Sequence, residues 1–243
     1  NAVKWFTEAA QHSNNDAQYL LGSCYYKGQG VEKSYEEAVN RFRQSAEGGN
    51  AQAQNSLGFC YENGQGVEVD VDKAFAWYSK SAESGDAIGQ CNVAQYYYRG
   101  AGVSRDYVKA VEWFSKSAEQ GNVDAQFALA TCYEFGVGVE QNYVIAANLY
   151  RMAADQGDAE SQCVLGNCYQ NGQGIQQSYE LAAVWFRKAA EQGHAKAQCL
   201  LGYCYQVGQG VDKNLEEAIE WYKKAARQDD AHALGRLREL GVW

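Results

Sequence analysis

Residues 21–31 read Leu21-Gly22-Ser23-Cys24-Tyr25-Tyr26-Lys27-Gly28-Gln29-Gly30-Val31, and residues 57–67 read Leu57-Gly58-Phe59-Cys60-Tyr61-Glu62-Asn63-Gly64-Gln65-Gly66-Val67. The two stretches lie 36 residues apart, and the Gly-x-Gly at their centre keeps that step down the chain. It recurs at Gly100-x-Gly102, Gly136-x-Gly138, Gly172-x-Gly174 and Gly208-x-Gly210, with no insertion or deletion. A fixed period of this length marks an array of small supersecondary units that bury their cores against one another. Six full copies are present, preceded by a half copy at the start and followed by another at the end.

Working outward from the glycines, each copy reads as two helices. Helix A of the first copy runs over 16–27, where Ala17, Leu21, Cys24 and Tyr25 form one apolar stripe with Gly22 beside it. Helix B runs over 35–47, with Ala38, Phe42 and Ala46 on its stripe; the second copy has Ala74, Trp77, Tyr78 and Ala82. Small residues facing large rings let adjacent helices approach while the rings fill the gaps. Ser34, Asp70, Asp106, Asn142, Ser178 and Asn214 precede helix B, and Asn50, Asp86, Asn122 and Asp158 precede helix A in copies two to five. Each can offer a side-chain oxygen to the orphan N–H groups of a first helical turn. Gly49, Gly85, Gly121, Gly157 and Gly193 stand just past helix B, where a left-handed residue closes a helix. Val31, Val67, Val103, Val139, Ile175 and Val211 offer an apolar plug between the helices.

The frame Leu-Gly-x-Cys-Tyr, Gly-x-Gly-Val, Ala-x-x-Trp-Tyr/Phe and Ala-Ala/Ser-Ala resembles the Sel1-like repeat family, relatives of the tetratricopeptide repeat, over essentially the whole chain. The resemblance implies an all-α fold, an α/α superhelical solenoid of six full 36-residue helical-hairpin repeats with a half repeat at each end, its A helices lining a concave face. As one domain it divides into a half repeat at 1–13, repeats at 14–49, 50–85, 86–121, 122–157, 158–193 and 194–229, and a capping helix at 230–243. Arg238 falls where Gly22, Gly58, Gly166 and Gly202 sit in other copies, so the last helix reads as a polar cap. The first half copy, with Trp5, Phe6, Ala9 and Ala10, is a helix B without its helix A. We therefore expect more repeats, or another domain, before residue 1.

Bulk properties narrow the function. The chain contains no proline, in keeping with helices joined by short glycine turns. A net charge of −9 gives no electrostatic footprint for a nucleic-acid backbone or an anionic membrane. No apolar run approaches the roughly 20 residues that span a bilayer. Cys24, Cys60, Cys132, Cys168 and Cys204 share one repeat position, and Tyr96 takes it in copy three; Cys91, Cys163 and Cys199 share a second. Equivalent residues of successive copies sit about one helix-packing distance apart, beyond the roughly 7 Å Cα limit of a disulfide. The first set reads as buried core thiols. Disulfide-bearing bacterial members of the family place cysteines at the end of one helix and the start of the next, a pattern absent here. Reduced thiols fit a cytosolic or other reducing compartment.

No catalytic arrangement emerges. His12, His194 and His232 have no helical ligand spacing to one another and join no Cys-x-x-Cys, so no metal site is expected. Gly-x-Gly lacks the third glycine and preceding strand of a dinucleotide fingerprint. Some family members have been described as β-lactamases, but the Ser-x-x-Lys motif such an enzyme needs is absent. Glu36-Glu37 and Glu216-Glu217 read as solvated helix surface. We expect no cofactor.

Positions that repeat are packing, and positions that vary while facing outward are free for recognition. On helix A the varying stripe places Tyr19 and Tyr26, Phe59 and Glu62, Tyr98 and Arg99, Phe127 with Glu134 and Phe135, Asn167 and Asn171, and Tyr203 on the concave face. Rings supply buried area and amides can bond a peptide backbone, which suits a peptide groove; the competing reading tucks some of these rings into neighbouring helices. The sequence points to a non-enzymatic adaptor that binds a peptide segment or protein partner there. A structural spacer or self-assembly module that forms homo-oligomers, and the targeting arm of a larger enzyme, remain alternatives.

Overall fold

The computed structural model describes residues 2–11 and 14–242; Asn1, His12, Ser13 and Trp243 lie outside the described residues, so the readings that touch them, His12 above all, have no structural counterpart. Among the described residues there are fourteen helices and no strand. The A helices are α2 (Asn15–Lys27), α4 (Ala51–Asn63), α6 (Ala87–Arg99), α8 (Val123–Phe135), α10 (Ala159–Asn171), α12 (Ala195–Val207) and α14 (Ala231–Glu239). The B helices are α1 (Ala2–Gln11), α3 (Tyr35–Glu47), α5 (Val71–Glu83), α7 (Tyr107–Glu119), α9 (Tyr143–Asp155), α11 (Tyr179–Glu191) and α13 (Leu215–Ala226). The chain divides into two compact units, residues 1–125 and 126–243, and each is described by itself.

The boundaries follow the cap chemistry. Ser34, Asp70 and Asp106 in the first unit, and Asn142, Ser178 and Asn214 in the second, accept from backbone N–H groups of the helix they start. Asn14 and Asp230 extend the set on the A helices. His194 caps α12 through Nδ1, which accepts from the Ala197 N–H at 3.1 Å while Nε2 meets Glu160 at 2.8 Å. The sequence reading weighed His194 only as a metal ligand. At the far end of helix B the backbone turns left-handed at Gly49, Gly85, Gly121, Gly157 and Gly193, and in the last copy Asp229 adopts the same conformation at φ 62°.

Two contacts set the distance between helices. Within a hairpin, a ring of helix B lies flat over a glycine of helix A: Phe42 on Gly22 and Tyr78 on Gly58 in the first unit, Phe186 on Gly166 and Tyr222 on Gly202 in the second. A Cβ at any of these glycines would stand within 2.9 Å of a ring carbon, so the close approach depends on its absence. Alanine takes the position in copies three and four, as Ala94 and Ala130, both fully buried.

Between hairpins an apolar core, such as Val39 and Ala46 with Ala53 and Leu57, carries a polar bond within it. Every copy carries a glutamine on helix A that is buried: Gln18, Gln54 and Gln90 in the first unit, Gln126, Gln162 and Gln198 in the second. The side-chain amide of Gln54 donates to the carbonyl of Ala46, in the last turn of the preceding helix B, at 3.1 Å. Gln18, Gln90, Gln162 and Gln198 make the same bond to Ala10, Ala82, Ala154 and Ala190. The glutamine oxygen then accepts from a side chain at the end of its own helix B: Gln120 to Gln90 at 2.8 Å, Gln156 to Gln126 at 2.9 Å, Gln192 to Gln162 at 2.8 Å and Gln228 to Gln198 at 2.9 Å. One buried amide thus joins three helices, adding a second donor to a carbonyl that the turn glycine already meets.

Removing that amide takes away the bond that joins the two hairpins in the interior, while the N–H of Gly49 still meets the Ala46 carbonyl. Gln54→Ala is expected to lower stability by about 0.5–1.5 kcal/mol, read as a shift in urea midpoint. A shift no larger than that of an exposed control such as Gln52→Ala would refute the role assigned to the glutamine.

Candidate protein-binding surface

The A helices present one edge that neighbouring helices cover only in part. In the first unit this edge holds Ser23, Phe59 and Gln95 at one repeat position and Lys27, Asn63 and Arg99 one turn further on. Phe59 is 42% exposed, and Leu20 and Ile88 add apolar surface at 40% and 53%. In the second unit the same positions hold Thr131, Asn167 and Tyr203, then Phe135, Asn171 and Val207. Phe135 is 66% exposed, Asn171 and Val207 are exposed, and Asn167 and Tyr203 are half-buried. Phe59, Arg99, Phe135 and Asn171 are therefore exposed on the outward edge, while Asn167 and Tyr203 sit half-buried at its border, Tyr203 packed against the core of the last copy. Leu20, Ile88 and Val207 belong with them; the sequence reading missed them because an isolated aliphatic residue in a helix reads as core.

The other residues of the expected stripe face inward. The Tyr19 ring centroid lies 5.9 Å from that of Phe42. Tyr26 lies 5.2 Å from Tyr35, and its hydroxyl donates to Gln65 Oε1 at 2.6 Å, tying one hairpin to the turn of the next. Tyr98 packs edge-on against Tyr107 at 5.2 Å, and Phe127 against Tyr150 at 5.5 Å. Glu62 accepts from the Tyr78 hydroxyl at 2.7 Å, and Glu134 from the Tyr150 hydroxyl at 2.6 Å. Burial first, and then the neighbouring carboxylate, push both phenols well above the ordinary tyrosine value, so they remain donors.

These inward residues obey a rule that can be seen in the sequence. Where helix B offers a phenylalanine, as Phe42 and Phe114, helix A answers with a tyrosine ring, Tyr26 and Tyr98. Where helix B offers a tyrosine, as Tyr78, Tyr150 and Tyr222, helix A answers with an acceptor, Glu62, Glu134 and Gln206. Phe186 in the fifth copy is paired with Gln170, whose amide instead reaches Gln209 at 3.3 Å. Variation along a repeat column is therefore not a sufficient sign of a recognition position, because here it records a matched pair.

The thiols are part of the core with two exceptions. Cys60, Cys91, Cys132, Cys163, Cys168 and Cys204 are buried, whereas Cys24 and Cys199 are half-buried, and none is in a disulfide. Cys24 departs from the expected buried set because no helix A of an earlier copy flanks α2 among the described residues. Burial pushes Cys60 and Cys163 up to about 12, and Cys132, Cys168 and Cys204 up to about 11. Thiols held protonated are poor nucleophiles and poor metal ligands. Among the described residues no three His, Cys, Asp or Glu side chains converge as a metal site, and no helix is long and apolar enough to cross a membrane.

Two outcomes follow. Glu134→Ala removes a bond to a buried hydroxyl and is expected to cost about 1–3 kcal/mol, while Phe135→Ala next to it stays within about 0.5 kcal/mol; equal denaturant midpoints would refute the division into inward and outward residues. The raised thiols also set a pH dependence. Their folded values exceed the ordinary 9.0, so the folded chain holds protons that the unfolded chain has released. Their contribution is complete below pH 9 and is lost as pH rises toward 11–12. The urea midpoint should hold steady up to that point and decline beyond it, and a midpoint unchanged to pH 11 would contradict the assignment.

Comparison with known proteins places the chain in a family. Seven segments, residues 1–14, 15–50, 51–86, 87–122, 123–158, 159–194 and 195–230, match the Sel1 repeat. The chain is similar to c5321 of uropathogenic Escherichia coli, a protective antigen with an SLR fold, at 40% identity over 98% of its length with a TM-score of 0.92. It spans about half of that protein, 51%. A Sel1 repeat protein from Oxalobacter formigenes is 34% identical, with a TM-score of 0.78, over 88% of this chain and 85% of that one. The immunity protein PA5088 of Pseudomonas aeruginosa, 20% identical over 90% of this chain and 82% of its own at a TM-score of 0.55, shares the fold. No curated protein matches the sequence. Matched from residue 1 to residue 230, the chain belongs to the Sel1 repeat family, helical solenoids that are typically non-catalytic scaffolds and generally mediate interaction between proteins.

Proposed function

We propose that the chain is a non-enzymatic adaptor that binds a peptide segment or the surface of a protein partner along the outward edge of its A helices. One observation carries the reading: each unit exposes on that edge side chains that differ from copy to copy and that no internal contact needs. Phe59 and Arg99 supply it in the first unit, and Phe135 and Asn171 in the second. An exposed ring beside amides and a guanidinium is the composition of an interface anchor, where aromatic and arginine residues carry most of the binding energy. The packing positions meanwhile repeat, so recognition can change without loss of the scaffold. Tyr19, Tyr26, Glu62, Tyr98, Phe127 and Glu134 take part by holding helix A against helix B and so fixing the edge in place.

Affinity capture from a native cell extract tests the reading. The wild-type chain is run beside Phe59→Ala/Arg99→Ala and Phe135→Ala/Asn171→Ala variants, each shown by circular dichroism to be folded. A partner retained by the wild type and lost by either variant is the expected result, with a drop of at least about tenfold in affinity, the loss of a single interface hot spot. A partner bound equally by all three would move the interface to the turns or to the B helices.

A further inference from the structure

Two B helices of the second unit, α9 and α11, both pack against α10 and turn an unusually apolar side to solvent. Val144, Ile145 and Met152 on α9 and Leu181 and Val184 on α11 are each between 38% and 57% exposed. Where α9 has Val144, Ile145 and Met152, α3 has Glu36, Glu37 and Gln44, and α13 has Glu216, Glu217 and Lys224. Exposed aliphatic side chains gathered on one side of adjoining elements mark an interaction surface. The charged groups around them indicate what covers it.

Residues four apart stand in line on a helix. One line of α11 carries Glu180, Val184 and Lys188, and the matching line of α9 carries Val144, Asn148 and Met152; all six are exposed. Glu180 and Lys188 lie about 12 Å apart along the axis, too far to pair with each other. Lys188 makes no ion pair among the described residues and rests over the Trp185 ring, 3.7 Å from its centre. Glu180 accepts from the Ser178 hydroxyl at 2.9 Å and keeps lone pairs for a further donor. Each line is its own complement when reversed. Laid antiparallel on a second copy, Glu180 meets Lys188 and Val184 meets Val184. On α9, Val144 meets Met152, and Asn148 meets Asn148, whose amide both donates and accepts. Asn148 and Val184 hold the same repeat position, so one two-fold axis across both helices serves the two lines together. The lines of α7 and α13 instead centre on Glu112 and Glu220, each of which would face its own copy, and α5 has only Ala76 between Asp72 and Lys80. A chain of net charge −9 repels its copies where acid predominates, but on α9 and α11 Arg151, Arg187 and Lys188 balance Asp155, Glu180 and Glu191.

We propose that α9 and α11 form an isologous interface with a second copy of this chain, antiparallel across a two-fold axis at Asn148 and Val184. The aliphatic residues supply the buried area, and the two symmetry-related pairs of Glu180 with Lys188 fix direction and register. Two helix faces make a small interface, near the lower end of stable ones at about 1,200 Å² in total, so association in roughly the micromolar range is expected. The proposal does not rest on the adaptor reading, whose residues lie on the A helices.

Sedimentation velocity of the full chain, from roughly 1 µM to roughly 1 mM, tests it. A monomer–dimer equilibrium is expected. Val184→Asp, which sets two carboxylates face to face at the axis, should abolish the dimer. Glu180→Lys and Lys188→Glu should each weaken it by at least about tenfold, since each puts like charges opposite one another twice. Mixing those two variants should restore association, because every Lys then meets a Glu across the interface. All three substitutions are at exposed positions, and circular dichroism checks that each variant is folded. A chain monomeric throughout the range, a dimer that survives Val184→Asp, or two charge variants that stay apart when mixed would each overturn the proposal. Loss of a partner by the Phe59→Ala/Arg99→Ala or Phe135→Ala/Asn171→Ala variant bears on the adaptor reading alone, and those variants should dimerise as the wild type does.

Discussion

The side-chain amide of a buried glutamine is the interaction on which the stack depends. A helical hairpin can bury its rings against its own partner helix, but its place against the preceding helix B is marked by a polar bond, from a helix A amide to a carbonyl in the last turn of that helix B. Gln54 and its equivalents make that bond and are in turn held by a side chain from the end of their own helix B. Apolar contact alone would let one hairpin slide on the next, because burial has no preferred register. A buried amide with both ends satisfied fixes the register, since any slip leaves a polar group unpaired in the interior.

Around that fixed point the rest of the structure becomes economical. The glycine-on-ring contact sets the spacing inside a hairpin, and the caps at Ser34, Asp70 and their counterparts set where each helix starts. With spacing and start both determined, the outward edge of helix A carries no structural duty. Phe135 can stand exposed beside Glu134, which is tied to Tyr150, because a single residue step along the helix separates duty from freedom by about 100°.

The fold was almost entirely legible in the sequence, because the period, the caps and the small-against-large pattern all pointed the same way. Helix B of the first copy, read over 35–47, runs from Tyr35 to Glu47. The glutamine column was just as visible, from Gln18 to Gln198, but a polar residue on helix A reads as surface until its neighbours are known. The edge was half legible. Tyr26, Glu62, Tyr98 and Glu134 vary between copies as recognition residues would, yet they vary in step with Phe42, Tyr78, Phe114 and Tyr150, and only columns read two at a time reveal the pairing.

The bonds that build each unit are all short in sequence. The glutamine amide reaches back 8 residues, its oxygen is met 30 residues on, the tyrosine hydroxyls are met 16 residues back, and the turn-to-turn bond of Tyr26 spans 39. A hairpin emerging from the ribosome therefore finds its partners in the segment made just before it. Low contact order of this kind favours rapid folding, and without a single proline the chain has no minute-scale isomerisation to wait for. Such a chain can acquire its structure at the pace of its own synthesis, one hairpin behind the growing end.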